Sequence, residues 1–275
     1  MLKRGVYPAS VTPMTGDQRL DEASLGRLLN RFTAAGCAGV VLAGTNGEGP
    51  SLSNPEKLEL LKAARSTSGL DCIMGVATNS SSDAADLCVA AAEGGAIGAL
   101  VLPPGYYKDV SEDGLEAWYR VVFERSPIPL LVYNFPQRSG VTFGGEMLER
   151  LGKYPRFAGA KDSSGNPENL PSYREALPDE ILYVGDETLL LTALELGWSG
   201  SISGAANVYP AELVQVVKEF DAGDHDGAAK VFAELLPKLK ELRSCRQPAT
   251  NKARLHAAGV LASPAVRAPL TAAAM

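Results

Sequence analysis

Histidine is almost missing from this 275-residue chain, with His225 and His256 as the only two. Metal chemistry built on imidazole therefore has little material. Cysteine is sparse as well: Cys37, Cys72, Cys88 and Cys245 stand far apart, with no C-x-x-C pair. Scattered reduced thiols fit that pattern better than a disulfide framework or a zinc site, so the reading is cytoplasmic and metal-free. No run approaches the ~18 uninterrupted apolar residues of a membrane span, and no apolar stretch follows Lys3-Arg4 to make a secretory signal. Basic runs are lacking too. With 32 acidic against 26 basic residues the net charge is −6, which argues against a nucleic-acid partner. No stretch rich in Gly, Ser or Pro separates two domains.

What is present is periodic. Eight short apolar or β-branched runs recur at residues 5–11, 39–43, 72–77, 99–102, 129–133, 157–161, 181–184 and 201–203. Each is too short for a helix, and most are bounded by Gly or Pro. Helical spacing fills the intervals. Leu25, Leu28, Leu29 and Phe32 share one face, as do Leu58, Leu61 and Ala64. Asn54-Pro55-Glu56 reads as N-cap, first-turn Pro and acid, and Ser111-Glu112-Asp113-Gly114 and Pro210-Ala211-Glu212 open further helices. A strand–helix alternation at the ~30-residue pitch of a βαβ unit predicts the α/β class. Eight repeats predict a (β/α)8 TIM barrel over residues 1–222. Residues 223–275 are then a helical extension packed on the barrel, broken near Pro248 and resumed over 251–258. An open doubly wound sheet is the alternative.

A barrel of this kind carries its chemistry at the C-terminal ends of its strands. The second run leads into Gly44-Thr45-Asn46-Gly47-Glu48-Gly49, the fourth into Tyr106-Tyr107, and the fifth into Tyr133-Asn134-Phe135-Pro136-Gln137-Arg138. The sixth delivers Lys161-Asp162, the seventh Asp186-Glu187 and the eighth Ser203-Gly204. Lys161 closes an apolar run, where burial disfavours a charged ammonium, and a Schiff-base nucleophile has to be a neutral amine. A lysine snorkelling to water or paired with Asp162 is the plainer alternative. Tyr133 either packs or exchanges a proton with a reacting carbonyl. The three glycines of the 44–49 loop let N–H groups approach an anion, although a tight turn into the next helix explains them equally. The loop lacks both G-x-G-x-x-G and the Lys-Ser/Thr of a P-loop, so nucleotide binding is a weak reading. Arg138 offers a planar fork for a carboxylate or a surface ion pair. Tyr106-Tyr107 suits a subunit contact. Asp186-Glu187 most simply begins a helix, where acids complement the dipole.

Together, Gly44-Thr45-Asn46-Gly47-Glu48, Tyr106-Tyr107, Tyr133-Asn134-Phe135-Pro136 and Gly159-Ala160-Lys161-Asp162 resemble, in order and spacing, the dihydrodipicolinate synthase / N-acetylneuraminate lyase family. The resemblance extends from the Pro8 strand to Val266-Arg267-Ala268-Pro269-Leu270. It implies a (β/α)8 barrel, a pyruvate-dependent class I aldolase or lyase, and a homo-oligomer, dimer or tetramer. No cofactor is implied beyond the covalent Schiff base. By resemblance, Lys161 would form that base with pyruvate or another 2-oxo acid, and Tyr133 would shuttle protons. Thr45 would relay them to Tyr107, which in many relatives enters from a neighbouring subunit. Thr45 and Asn46 would hold the pyruvate carboxylate, and Ile202 matches a position whose carbonyl lines the site.

Within the family, Thr45-Asn46 in place of Thr-Thr, together with Asn134-Phe135-Pro136 and Ser203-Gly204-Ala205, resembles the aldolases of 2-keto-3-deoxy sugar acids or 4-hydroxy-2-oxoglutarate. That is the favoured reading. Arg138 stands where the synthases place the arginine that receives the carboxylate of aspartate semialdehyde, so dihydrodipicolinate synthase is the alternative. A phosphate-binding barrel isomerase and a non-catalytic metabolite-binding barrel are the remaining readings.

Overall fold

The computed structural model describes residues 2–273. Its strands are β1 (Gly5–Pro8), β2 (Val40–Leu42), β3 (Cys72–Val76), β4 (Gly98–Val101), β5 (Leu130–Asn134), β6 (Phe157–Asp162), β7 (Ile181–Val184) and β8 (Gly200–Ser203). All ladders are parallel and run β1-β8-β7-β6-β5-β4-β3-β2. A parallel bridge between Ala9 and Val41 joins β1 to β2 and closes the ring. The (β/α)8 expectation holds, and the open sheet is set aside. The first run was expected to stay in the ladder to residue 11, but the strand ends at Pro8. Beyond it, Val11 N–H donates to Asn207 Oδ1 (2.9 Å), whose amide in turn donates to the Ala9 carbonyl (2.8 Å).

The helices form where periodicity and caps coincide. Helix Glu22–Ala35 buries Leu25, Leu28, Leu29 and Phe32, an i, i+3, i+4, i+7 stripe. It starts with Asp21 accepting from Ser24 N–H and stops at Gly36, whose φ of 82° is a left-handed C-cap. Helix Asn54–Thr67 is capped one residue earlier than its sequence suggests. Ser53 rather than Asn54 has extended backbone, and it forms a capping box with Glu56, whose Oε2 accepts Ser53 N–H at 2.8 Å. Helices Glu112–Arg125 and Pro210–Asp221 begin where expected. Helix His225–Ser244 and helix Ala249–Ala257 follow the barrel. Among the described residues no helix is long and apolar enough to cross a membrane.

Two cores result from strand alternation. Outward-facing residues such as Val40, Cys72, Ala99, Val132 and Ala160 pack against the helices. A smaller set fills the barrel itself, among them Leu2, Tyr7, Val41, Ile73, Leu100, Leu131, Tyr183 and Ile202. Tyr7 and Tyr183 meet edge to face at 5.3 Å, and both hydroxyls bond to the backbone of Lys3, just before β1. This aromatic plug closes the end of the barrel where the strands begin.

Candidate active site

At the opposite end, β5 and β6 set the central pair. Their register aligns Tyr133 with Lys161 and Asn134 with Asp162. Alternation then sends Tyr133 and Lys161 into the barrel while Asn134 and Asp162 face the helices. On that outer side Asp162 accepts from Asn134 Nδ2 (2.6 Å) and from Ser164 Oγ (2.8 Å), and burial pushes its carboxyl above the usual range. Lys161 is therefore not paired with Asp162. It is 4% exposed, and Nζ sits 4.2 Å from the centroid of the Tyr133 ring, over its face. Nζ and the Tyr133 hydroxyl have no hydrogen-bond or ion-pair partner among the described residues.

A bulge makes this orientation possible. The β5–β6 register slips between Leu130 and Leu131, which pair with Phe157 and Gly159. Ala158 faces the barrel interior and Ala160 the helices, so without the slip Lys161 and Ala158 could not both point inward. Gly159 absorbs the change with a φ of 138°, and a Cβ there would lie 1.8 Å from the Ile181 carbonyl oxygen. Gly185, after β7, makes room for the amine, since a Cβ on it would meet Lys161 Cε at 2.7 Å.

The 44–49 loop covers this end of the barrel. Glu48 and Gly49 donate their N–H groups back to the Thr45 and Gly44 carbonyls, whereas those of Thr45 and Asn46 have no backbone acceptor among the described residues. Glu48 lies at φ 57° with its carboxylate buried against Lys252, and it accepts Arg267 N–H at 2.7 Å. Arg267 also donates to the Ser51 and Gln18 carbonyls and pairs with Glu56, so the C-terminal segment straps the loop from behind. The Arg267 guanidinium holds the Glu56 carboxyl down at about 2.

Thr45, Asn46, Tyr133 and Lys161 line one cavity of about 80 Å³, with Phe135, Ser163, Gly185, Glu187, Gly204, Arg243 and Gln247 completing it. Outside lies a wider mouth shared by Thr45, Asn46, Phe135, Arg138, Arg243, Arg246 and Gln247, with no carboxylate in its lining among the described residues. Arg138 leans over the Phe135 ring at 5.8 Å. Two expected residues stand apart. Tyr107 is 67% exposed and touches Tyr106 edge to face at 5.2 Å, outside the cavity of its own chain. Ile202, expected at the site through its backbone carbonyl, is not among the residues that line the cavity, and its side chain packs within the barrel.

Asp186-Glu187 does begin a helical turn, Glu187–Leu189, as read in the sequence, but the Glu187 carboxylate has a second place. Asp186 does cap the following turn, accepting Thr188 N–H at 3.0 Å. Glu187 turns inward, 2% exposed, and accepts from Ser203 Oγ (2.7 Å) and Ala205 N–H (2.8 Å). Arg243, from helix His225–Ser244, pairs with Asp186 at 2.8 Å and Glu187 at 3.4 Å. Sequence reasoning missed Arg243, Arg246 and Gln247 because nothing local marks them; an Asp-Glu pair one strand before a Ser-Gly was the only signal for Glu187. Among the described residues no three His, Cys, Asp or Glu side chains gather as a metal site.

The 4-hydroxy-tetrahydrodipicolinate synthase of Listeria monocytogenes serotype 4b is 34% identical over 269 residues, 96% of this chain and 92% of the relative. The synthase 1 of Streptomyces coelicolor is 36% identical over 271 residues, 96% and 87% of the two chains. The chloride-inhibited dihydrodipicolinate synthase of Acinetobacter baumannii, solved in complex with pyruvate, superposes with a TM-score of 0.94 at 30% identity, covering 99% of this chain and 94% of that one. Residues 2–275 match the dihydrodipicolinate synthetase family as a whole. The chain belongs to the dihydrodipicolinate synthetase family and is an enzyme, a lyase of the class I aldolase type.

Proposed function

We propose that this enzyme joins pyruvate to an aldehyde through a Schiff base on Lys161, and that the aldehyde is aspartate semialdehyde, as the names of its relatives suggest. The observation that carries the reading is the unpartnered Lys161 amine over the Tyr133 ring, in a cavity shared with Thr45 and Asn46. Once neutral, Nζ attacks C2 of pyruvate, and the carbonyl oxygen leaves as water after accepting protons. The Tyr133 hydroxyl is the adjacent group able to give and take them. The resulting iminium lies over the ring face, where the quadrupole favours positive charge. It withdraws electrons from C3, which loses a proton to give the enamine. C3 then attacks the aldehyde carbon, whose oxygen is protonated, and hydrolysis returns Lys161. The open N–H groups of Thr45 and Asn46 suit the pyruvate carboxylate. Tyr107 joins the proton relay only from a neighbouring copy of the chain, which makes a homo-oligomer part of the proposal.

The mouth bears on the choice of aldehyde. Arg243 is occupied by Asp186 and Glu187, but Arg138 and Arg246, which both line the entrance, have no ion pair among the described residues. Such a lining suits an aldehyde that carries a carboxylate better than a neutral polyol. This observation and the relatives weigh for the synthase over the sugar-acid reading. The test is pyruvate consumption with aspartate semialdehyde, glyoxylate and glyceraldehyde in parallel. The highest kcat/KM is expected with aspartate semialdehyde, and Arg138→Ala should raise the KM for that aldehyde. A preference for glyoxylate would return 4-hydroxy-2-oxoglutarate to first place, and one for glyceraldehyde the 2-keto-3-deoxy acids.

A further inference from the structure

Helix Ala249–Ala257 supports the carboxylate-facing loop at a second point besides Lys252. Asn251 is fully buried on its first turn. Its Nδ2 lies 3.1 Å from the Gly204 carbonyl oxygen, 3.1 Å from Asn46 Oδ1 and 3.4 Å from Gln247 Oε1. A backbone carbonyl only accepts, so the Gly204 contact fixes which side of the Asn251 amide is nitrogen. The same nitrogen then requires oxygen on the facing side of the Asn46 amide. Asn251 Oδ1 is itself buried without a partner among the described residues, so this amide forgoes a bond on its oxygen while keeping those on its nitrogen. The Asn46 NH2 is turned the other way. It has no acceptor among the described residues and lies beside Gly204, where an added Cβ would come within 2.7 Å of it. Asn46 and Gly204 both line the Lys161 cavity.

We infer that Asn251 is a positioning residue that locks the Asn46 amide with its NH2 toward the cavity, as a donor to the carboxylate of the bound 2-oxo acid. The inference rests on the pyruvate reading above. Were the Asn46 amide free to turn, it could present a carbonyl oxygen to that carboxylate, exchanging attraction for repulsion. Asn251 thus acts through Asn46 on substrate binding and not on the covalent steps.

The test uses the full-length enzyme and three variants: Asn251→Ala, Asn46→Ala and the double substitution. The readouts are kcat, the KM for pyruvate, and the pyruvate concentration that half-saturates borohydride trapping. Asn251→Ala should raise KM and the half-saturation point about tenfold, the loss expected for one hydrogen bond to a charged group, with kcat little changed. Adding Asn251→Ala to Asn46→Ala should raise neither further. If the alanine variant does not fold, Asn251→Val removes the same donors while filling more of the space, and carries the same expectations. An unmoved KM, a fall in kcat alone, or a full further rise on top of Asn46→Ala would overturn the assignment while leaving the pyruvate reading intact. No adduct on the unaltered chain would overturn both.

Discussion

The two ends of the barrel both present tyrosines to the interior, and they treat them differently. Where the strands begin, Tyr7 and Tyr183 pack edge to face and bond to the Lys3 backbone. Tyr119 and Tyr173, between the barrel and its helices, likewise donate to the Val101 and Phe143 carbonyls. Where the strands end, Tyr133 is 5% exposed against 0% for those four, its hydroxyl has no partner among the described residues, and its ring face is given to Lys161. A tyrosine that serves packing satisfies its phenol inside the protein. One kept for chemistry leaves it available to a substrate.

This contrast can be broken by substitution. The largest effect expected is at Lys161. Lys161→Ala should abolish turnover with the thermal transition retained, and residual full activity would remove the Schiff-base mechanism. Tyr133→Phe should lower kcat by ~10²–10⁴-fold, the usual worth of a positioned proton donor, without loss of stability. An unchanged kcat would return Tyr133 to the packing class.

The packing tyrosines should respond to pH instead. Burial raises the hydroxyls of Tyr119, Tyr173 and Tyr183 well above the ordinary tyrosine range. The unfolded chain therefore releases these protons first. Their contribution is whole below about pH 10 and is lost progressively as the pH rises beyond it. Denaturant midpoints measured at pH 8 and pH 11 should show that fall, and a flat profile would contradict the burial argument. The smallest effect is at the plug: Tyr183→Phe should cost about 1 kcal/mol through the lost bond to Lys3, with kcat unchanged.

Much of this was legible in the sequence where the signal is local. All eight runs became strands because short β-branched segments bounded by Gly or Pro have few other uses. The stripe Leu25, Leu28, Leu29, Phe32 is wholly buried. Lys161 could be singled out because it ends an apolar run, and Thr45, Asn46 and Tyr133 because they follow or end others. What the sequence did not disclose depends on tertiary placement. Alternation alone does not reveal the Gly159 bulge that turns Lys161 inward. The inward turn of the Glu187 carboxylate stayed hidden because its partners, Ser203, Ala205 and Arg243, come from three later elements. Arg243, Arg246 and Gln247 reach the mouth from the helical extension, and no periodicity relates them to β-strand ends. Tyr107 matched a motif, yet in the folded chain it stands exposed beside Tyr106.

The central claim is that the amine over the Tyr133 ring is the nucleophile. Incubation with pyruvate, reduction by borohydride and peptide mass spectrometry test it most directly. The account predicts a single reduced pyruvate adduct, on Lys161. A folded protein with no adduct, or with the adduct on another lysine, would contradict it.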